Sequence, residues 1–210
     1  MWKAIALTAA AGAGALLLNA CQTMSAEECK VADWRALGFS DGAGGNYRFE
    51  DRQEDCARRG FASDLDSYRV GNAEGIRQYC TPFNGFRRGL GGTSYSGFCP
   101  PDLHEGFMVA HADGYRAYQV NYALQQAESE RNRLEGQRNN IDGDIRNNEN
   151  ALAAATTDEE RGRLRNELGR LNDERRRVND DIRVQLREIA LRTDAVERVR
   201  FDIGPIYGAW

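Results

Sequence analysis

Beyond residue 101 the apolar positions recur at helical spacing, with no stretch of strict alternation to suggest a strand. Val120, Ala127, Leu134 and Ile141 repeat every seven residues, with Leu124, Ile145 and Leu152 on the adjoining seam. Farther on, Leu164, Leu171, Val178 and Val199 make one seam and Leu168, Ile182, Ile189 and Val196 the other. Asp102 with Glu105 fits a capping box after Pro100-Pro101, and Thr157 with Glu160 fits a second. The pattern predicts two helices, 103–154 and 158–200, turning at 154–156 and paired as an antiparallel coiled coil. That fold sets Leu134 opposite Val178 and Ile141 opposite Leu171. Arg131, Arg138, Arg175, Gln185 and Arg192 fall on seam positions, and Arg138 is set to face Arg175. Their stems can lie along the seam while acids such as Glu135 and Glu174 pair with the heads. The apolar tail 201–210 is expected to pack back on the preceding domain, with Phe201 reaching His111.

Ahead of the hairpin, residues 25–97 read as short helices punctuated by glycine. Ser25 and Glu28 form a capping box before a helix to Leu37, with Gly38 as its C-terminal glycine. Asn46 can cap a second segment through Arg59, and Asp64 or Asp66 a third ending near Cys80. Trp34, Tyr68, Tyr79, Phe83, Phe86, Tyr95 and Phe98 supply the expected core. The expected fold class is therefore mainly α. A small disulfide-stapled helical domain, 21–101, precedes a long antiparallel helical hairpin, 102–200, and the tail.

The first twenty residues have a different character. Lys3 precedes an uncharged apolar run, 4–18, shorter than the roughly twenty residues a spanning helix needs. Leu18-Asn19-Ala20-Cys21 resembles the bacterial lipobox, which implies cleavage before Cys21 and acylation of its thiol. A cysteine carrying two or three acyl chains holds a protein to a membrane without further help. Gln22 after it, rather than aspartate, implies sorting to the outer membrane, facing the periplasm. We therefore expect residues 1–20 to be a lipoprotein signal peptide and Cys21 to be the lipidation site.

Cysteine parity agrees with that assignment. Of five cysteines, Cys21 to lipid leaves Cys29, Cys56, Cys80 and Cys99, an even set for two bridges in an oxidising compartment. Three pairings are open to them. Zinc is the rival, but structural zinc sites bring ligands in tight pairs such as C-x₂-C, and these cysteines are dispersed. Loss of Lys3 with the leader moves the formal net charge from -4 to -5. An acidic chain of that kind lacks the basic face that nucleic acid requires.

Candidate chemistry is sparse. The loop Gly89–Gly92 lacks the lysine of a phosphate-binding loop. Asp41, Asp55, Asp64 and Asp66 read as caps and solvated faces, and His104 and His111, one heptad apart, have no i,i+4 partner to complete a metal pair. We expect no catalytic, cofactor-binding or metal site. Trp34-x₃-Gly38-x₂-Asp41-Gly42 is followed by Tyr68-x₂-Gly71-x₃-Gly75-x₃-Tyr79-Cys80. Next comes Gly85-x₃-Gly89-x₂-Gly92-x₂-Tyr95-x-Gly97-x-Cys99-Pro100. Together these resemble the bacterial envelope lipoprotein family catalogued as domain of unknown function 2799, over residues 29–119. The resemblance implies an envelope lipoprotein and transfers no catalytic residue. The leading expectation is a non-enzymatic envelope protein, held by Cys21, whose hairpin contacts an envelope partner or another copy. The alternative is a ligand-binding or enzymatic pocket, lined by Tyr68, Tyr79, Phe86 and Tyr95, that acts on a cell-wall or lipid component.

Overall fold

The computed structural model describes residues 24–210; the leader 1–20 and Cys21 lie outside the described residues. Among the described residues seven α-helices follow one another: α1 Ala26–Lys30, α2 Trp34–Ala43, α3 Phe49–Ala57, α4 Leu65–Tyr79, α5 Pro82–Leu90, α6 Pro101–Ala154 and α7 Asp158–Tyr207. No strand occurs among the described residues. The chain divides into two compact units. One holds the described residues up to Thr81 with Phe98–His104; the other holds Pro82–Gly97 and Glu105–Trp210. Within the second unit α5 packs with α6.

Helix starts follow side-chain chemistry. Ser25 and Glu28 form the expected capping box on α1. Asp64 caps α4 through the Ser67 amide at 3.0 Å, and the Thr157 hydroxyl caps α7 through the Glu160 amide. The helix expected up to Leu37 is instead divided. Asp33 accepts the Ala36 amide at 3.0 Å and starts a new helix, so Gly38 lies inside α2. Asn46 caps nothing: its amide bonds the Gly44 carbonyl, and α3 begins after Arg48 with no side-chain cap.

Gly38 is needed where it lies. In the first unit α2 and α4 touch backbone to backbone through Gly38 and Gly42 on one helix and Gly71 and Gly75 on the other. A Cβ on Gly42 would stand 2.8 Å from the Ile76 nitrogen, and one on Gly75 2.7 Å from the Ala43 nitrogen. Glycine four residues apart leaves a flat strip on each helix that lets the backbones close. Around this crossing Met24, Cys29, Trp34, Phe49, Cys56 and Tyr68 form the core.

The second unit repeats the device. Gly38-Phe39-x₂-Gly42-x-Gly44-Gly45 of α2 recurs as Gly85-Phe86-x₂-Gly89-x-Gly91-Gly92 of α5. Tyr68-x-Val70-Gly71-x-Ala73-x-Gly75-x-Arg77-x-Tyr79 of α4 recurs as Phe107-x-Val109-Ala110-x-Ala112-x-Gly114-x-Arg116-x-Tyr118 of α6. The contacts recur as well. A Cβ on Gly89 would meet the Tyr115 nitrogen at 2.6 Å, as Gly42 meets Ile76; one on Gly114 would meet the Leu90 nitrogen at 2.8 Å, as Gly75 meets Ala43. Both first helices end in the same turn. Asn46 and Thr93 each bond back to the carbonyl five residues earlier, at 2.8 and 3.2 Å. Gly45 and Gly92 carry positive φ, 72° and 69°, and the rings of Tyr79 and Tyr118 lie against them. Even the tie across the crossing is kept: the Asn72 amide donates to the Asn46 carbonyl at 2.9 Å, and His111 Nε2 to the Thr93 carbonyl at 2.7 Å. The protein therefore contains two copies of one glycine-paired helix motif.

In the second unit α6 continues past its copy of the motif into the hairpin. Leu134, Ile141, Ile145, Leu171, Val178 and Ile182 fill the seam, with Leu168 beside them. The seam arginines are answered differently from the expectation. Arg175 reaches Asp142 across the hairpin at 3.4 Å and Asn172 on its own helix, Arg138 bonds Asn139, and Glu174 serves Arg170. The tail is helical, since α7 runs through Pro205 to Tyr207. Phe201 is 83 % exposed and does not pack on His111; Ile203 is the buried residue, in a cluster with Phe86, Ala110, Ala117 and Val199.

Candidate functional site

The cysteines left unpaired by the sequence are joined in sequential order. Cys29 is bridged to Cys56 with Cα atoms 5.4 Å apart, and Cys80 to Cys99 at 5.8 Å. Each bridge closes a loop containing the first glycine helix of one copy. Among the described residues no three His, Cys, Asp or Glu side chains group as metal ligands.

Two acids expected on caps or solvated faces are buried instead, and both do structural work near the start of the described chain. Asp55 is 1 % exposed. Its carboxylate accepts the Met24 amide at 3.2 Å and pairs with Arg58 at 2.6 Å. Met24 is itself buried, with its sulfur 3.8 Å from Cys56 Sγ. The folded unit thus begins three residues after Cys21, a span of about 10 Å at full extension. Neither the Met24 packing nor the Asp55 bond has a spacing signature, because the partners meet only through α3 and the first bridge.

The other acid is Asp41. Arg52 holds it in a bidentate pair at 2.7 and 2.8 Å, and the Tyr68 hydroxyl donates to it at 2.7 Å. That hydroxyl also accepts the Arg48 amide at 2.9 Å. Burial opposes charge on Asp41, but the hydrogen bonds from Arg52 and Tyr68 outweigh it and hold the carboxyl below its usual range. Burial, with the Asp41 carboxylate beside it, pushes the Tyr68 hydroxyl far up, so it stays protonated. The cluster fixes α2, α3 and α4 around the crossing. Tyr68 has no exposed surface to offer a ligand.

The four rings expected to line a pocket have separate packing duties. Tyr68 sits under Phe49 and Tyr47, and Tyr79 against Phe98. Phe86 is stacked on Tyr207 with centroids 4.2 Å apart, and Tyr95 lies on Phe107. Phe83 and Phe98, expected in the core, are exposed, while Phe49 and Phe107, not anticipated, are buried. Beyond Tyr95 and Phe107, His111, Tyr115, Tyr118 and Tyr122 continue a ladder of rings along α6, with successive centroids 5.7–6.4 Å apart.

Two open surface features accompany these networks. In the first unit a groove of about 340 Å³ is lined by Asp33, Arg35, Ala36, Phe39 and Glu74. In the second, Arg200, Phe201, Gly204, Pro205 and Trp210 surround an apolar hollow at the end of α7.

Residues 33–116 match the family model described as Protein of unknown function (DUF2799). The matched stretch is about two-fifths of the chain. It opens at Asp33, the cap of α2, and closes at Arg116, inside the second helix of the second copy. In this chain the DUF2799 region is thus the pair of glycine-crossed copies, and the seam of the hairpin lies beyond it. No curated protein and no solved structure matches the chain.

Proposed function

We propose that the protein is a lipid-anchored, non-enzymatic factor of the bacterial cell envelope. Its DUF2799 region sits at the membrane and its hairpin binds an envelope partner. The observation that carries the reading is the hairpin itself. Helices of 54 and 50 residues, roughly 80 and 75 Å long, pair along one seam, and beyond the stretch where they meet α5 their other faces are open. On α7, Val184 and Leu191 lie one heptad apart and are 50 % and 62 % exposed, on a surface otherwise rich in arginine and acid. Apolar residues repeated at that spacing suit a helix laid alongside.

The anchor is supported by the lipobox resemblance, by cysteine parity and by the burial of Met24. With only Gln22 and Thr23 between Cys21 and the docked Met24, a lipid on Cys21 would hold the first unit directly against the bilayer. Among the described residues no helix is long and apolar enough to cross a membrane. Outer-membrane residence facing the periplasm rests on Gln22. The test is a photo-crosslinking residue at 184 or 191 in living cells. One discrete adduct at both positions is expected; a smear shared with positions on the opposite face of α7 contradicts the reading.

A further inference from the structure

The duplication makes one copy a template for the other, and the two differ in what covers their outer face. In the second copy the end of α7 lies on it. Tyr207 stacks on Phe86 at 4.2 Å with the rings 6° from parallel, and its hydroxyl donates to Asp113 at 3.1 Å. Phe86 and Asp113 have exact positional counterparts in the first copy, Phe39 and Glu74, by the aligned glycines and turns described above. Those two residues line the open groove of the first unit, together with Arg35 and Ala36. An aromatic shelf and a carboxylate acceptor that hold a helix in one copy are therefore presented to the surface in the other.

We propose that this groove docks a helix of another protein, which lays a tyrosine ring on Phe39 and donates its hydroxyl to Glu74. Hydrogen-bond complementarity argues for the hydroxyl: a carboxylate accepts several donors, so Glu74 can take it while keeping Arg35. Arg35 reaches Glu74 at 2.6 Å, but the two side chains are 59 % and 49 % exposed, and such a pair yields easily. The occupant is a foreign helix rather than the α7 end of a second chain. The α7 end is seated in its own copy partly by Leu90, Ala117 and Val120. The first copy has Ala43, Gln78 and Thr81 there, and α4 stops at Tyr79, so its groove is shorter and more polar. It suits a helix that spends one aromatic residue and few other apolar ones.

A helical peptide of about 16 residues, rich in alanine and glutamine with one central tyrosine, serves as the probe, titrated into the ¹⁵N-labelled full chain in detergent and compared with a peptide of residues 196–210. We expect saturable amide shifts around Phe39 and Glu74. The affinity should fall at least tenfold when the probe's tyrosine is replaced by alanine, and equally for an Ala36→Arg chain, whose exposed substitution closes the groove; tighter binding of 196–210 than of the probe overturns the assignment to a foreign helix. The spectrum of that variant should otherwise superpose on the wild type. No shift at millimolar peptide overturns the proposal. So do shifts confined to Phe86 and Asp113, which mean exchange with the resident tail, and undiminished binding to Ala36→Arg. Concentration-dependent shifts at Phe39 without peptide would place a second copy there and overturn the assignment to a foreign helix.

Discussion

Replacing Gly75 by alanine separates close helix packing from helix propensity. In an open helix the change adds about 1 kcal/mol of stability, because alanine is the better helix former. Gly169 on α7 is such a position, with nothing within 4 Å of an added Cβ. At Gly75 the same atom would stand 2.7 Å from the Ala43 nitrogen and nearer still to the Phe39 carbonyl oxygen. Neither is a side chain that can swing away, so α2 and α4 must part by about 1 Å, forfeiting a quarter to a half of the dispersion along the crossing. Overpacking of this kind costs about 1–3 kcal/mol and more where backbone meets backbone. We set the cost at about 3 kcal/mol, a net loss near 2 kcal/mol after the propensity gain. Gly114→Ala, facing Leu90 and Phe86 in the second copy, should lose a similar amount. The assay is urea unfolding followed through Trp34, which is buried beside Phe49 in the first core, in a background with Trp2 and Trp210 changed to Phe. Gly75→Ala should lower the midpoint and Gly169→Ala should leave it or raise it. Equal stability of Gly75→Ala and wild type would refute the close-crossing account.

Four further outcomes follow from the structure. Arg52→Ala leaves Asp41 buried without its counter-ion and should cost about 3–5 kcal/mol; unfolding of that variant by urea checks it. The Asp41 carboxyl is lowered on folding, so its contribution is complete above the unfolded carboxyl value near 3.9 and drains away as pH falls through the folded one; stability of Asp41→Asn should accordingly fall less steeply than wild type below about pH 4. Removing either disulfide by paired Cys→Ser changes should cost about 3–4 kcal/mol from the loops of 27 and 19 residues, and peptide mapping of the native chain should return Cys29 with Cys56 and Cys80 with Cys99. Deleting 201–210 strips Tyr207 from Phe86 and Ile203 from its cluster and should expose α5 to protease, which limited digestion reports; unchanged cleavage there would contradict the packing.

The hairpin was legible because its determinants are local and periodic. Leu134, Ile141, Leu171 and Val178 repeat at the heptad, and Thr157 caps the return helix within one turn. Long polar side chains are less constrained, which is why Arg175 chose Asp142 over the neighbours expected from spacing. The front half was harder for a physical reason: its helices are held by absent side chains. A glycine inside a helix looks like a stop, so local pattern places an ending at Gly38 where the structure has a contact surface. The repeat of Gly38-Phe39-x₂-Gly42-x-Gly44-Gly45 at Gly85 was present in the sequence. It was masked because α3 lengthens the first copy between its two helices and has no counterpart in the second. Asp41, Arg52 and Tyr68 come from three helices, and no spacing along the chain announces their meeting.

Lipidation of Cys21 is tested most directly by the mass of the mature protein isolated from cell envelopes. An N-terminal fragment starting at Cys21 and carrying two or three acyl chains is predicted, with Cys21→Ser giving an unacylated, unprocessed chain. A wild-type protein that retains residues 1–20, or that begins at Cys21 without lipid, would contradict it.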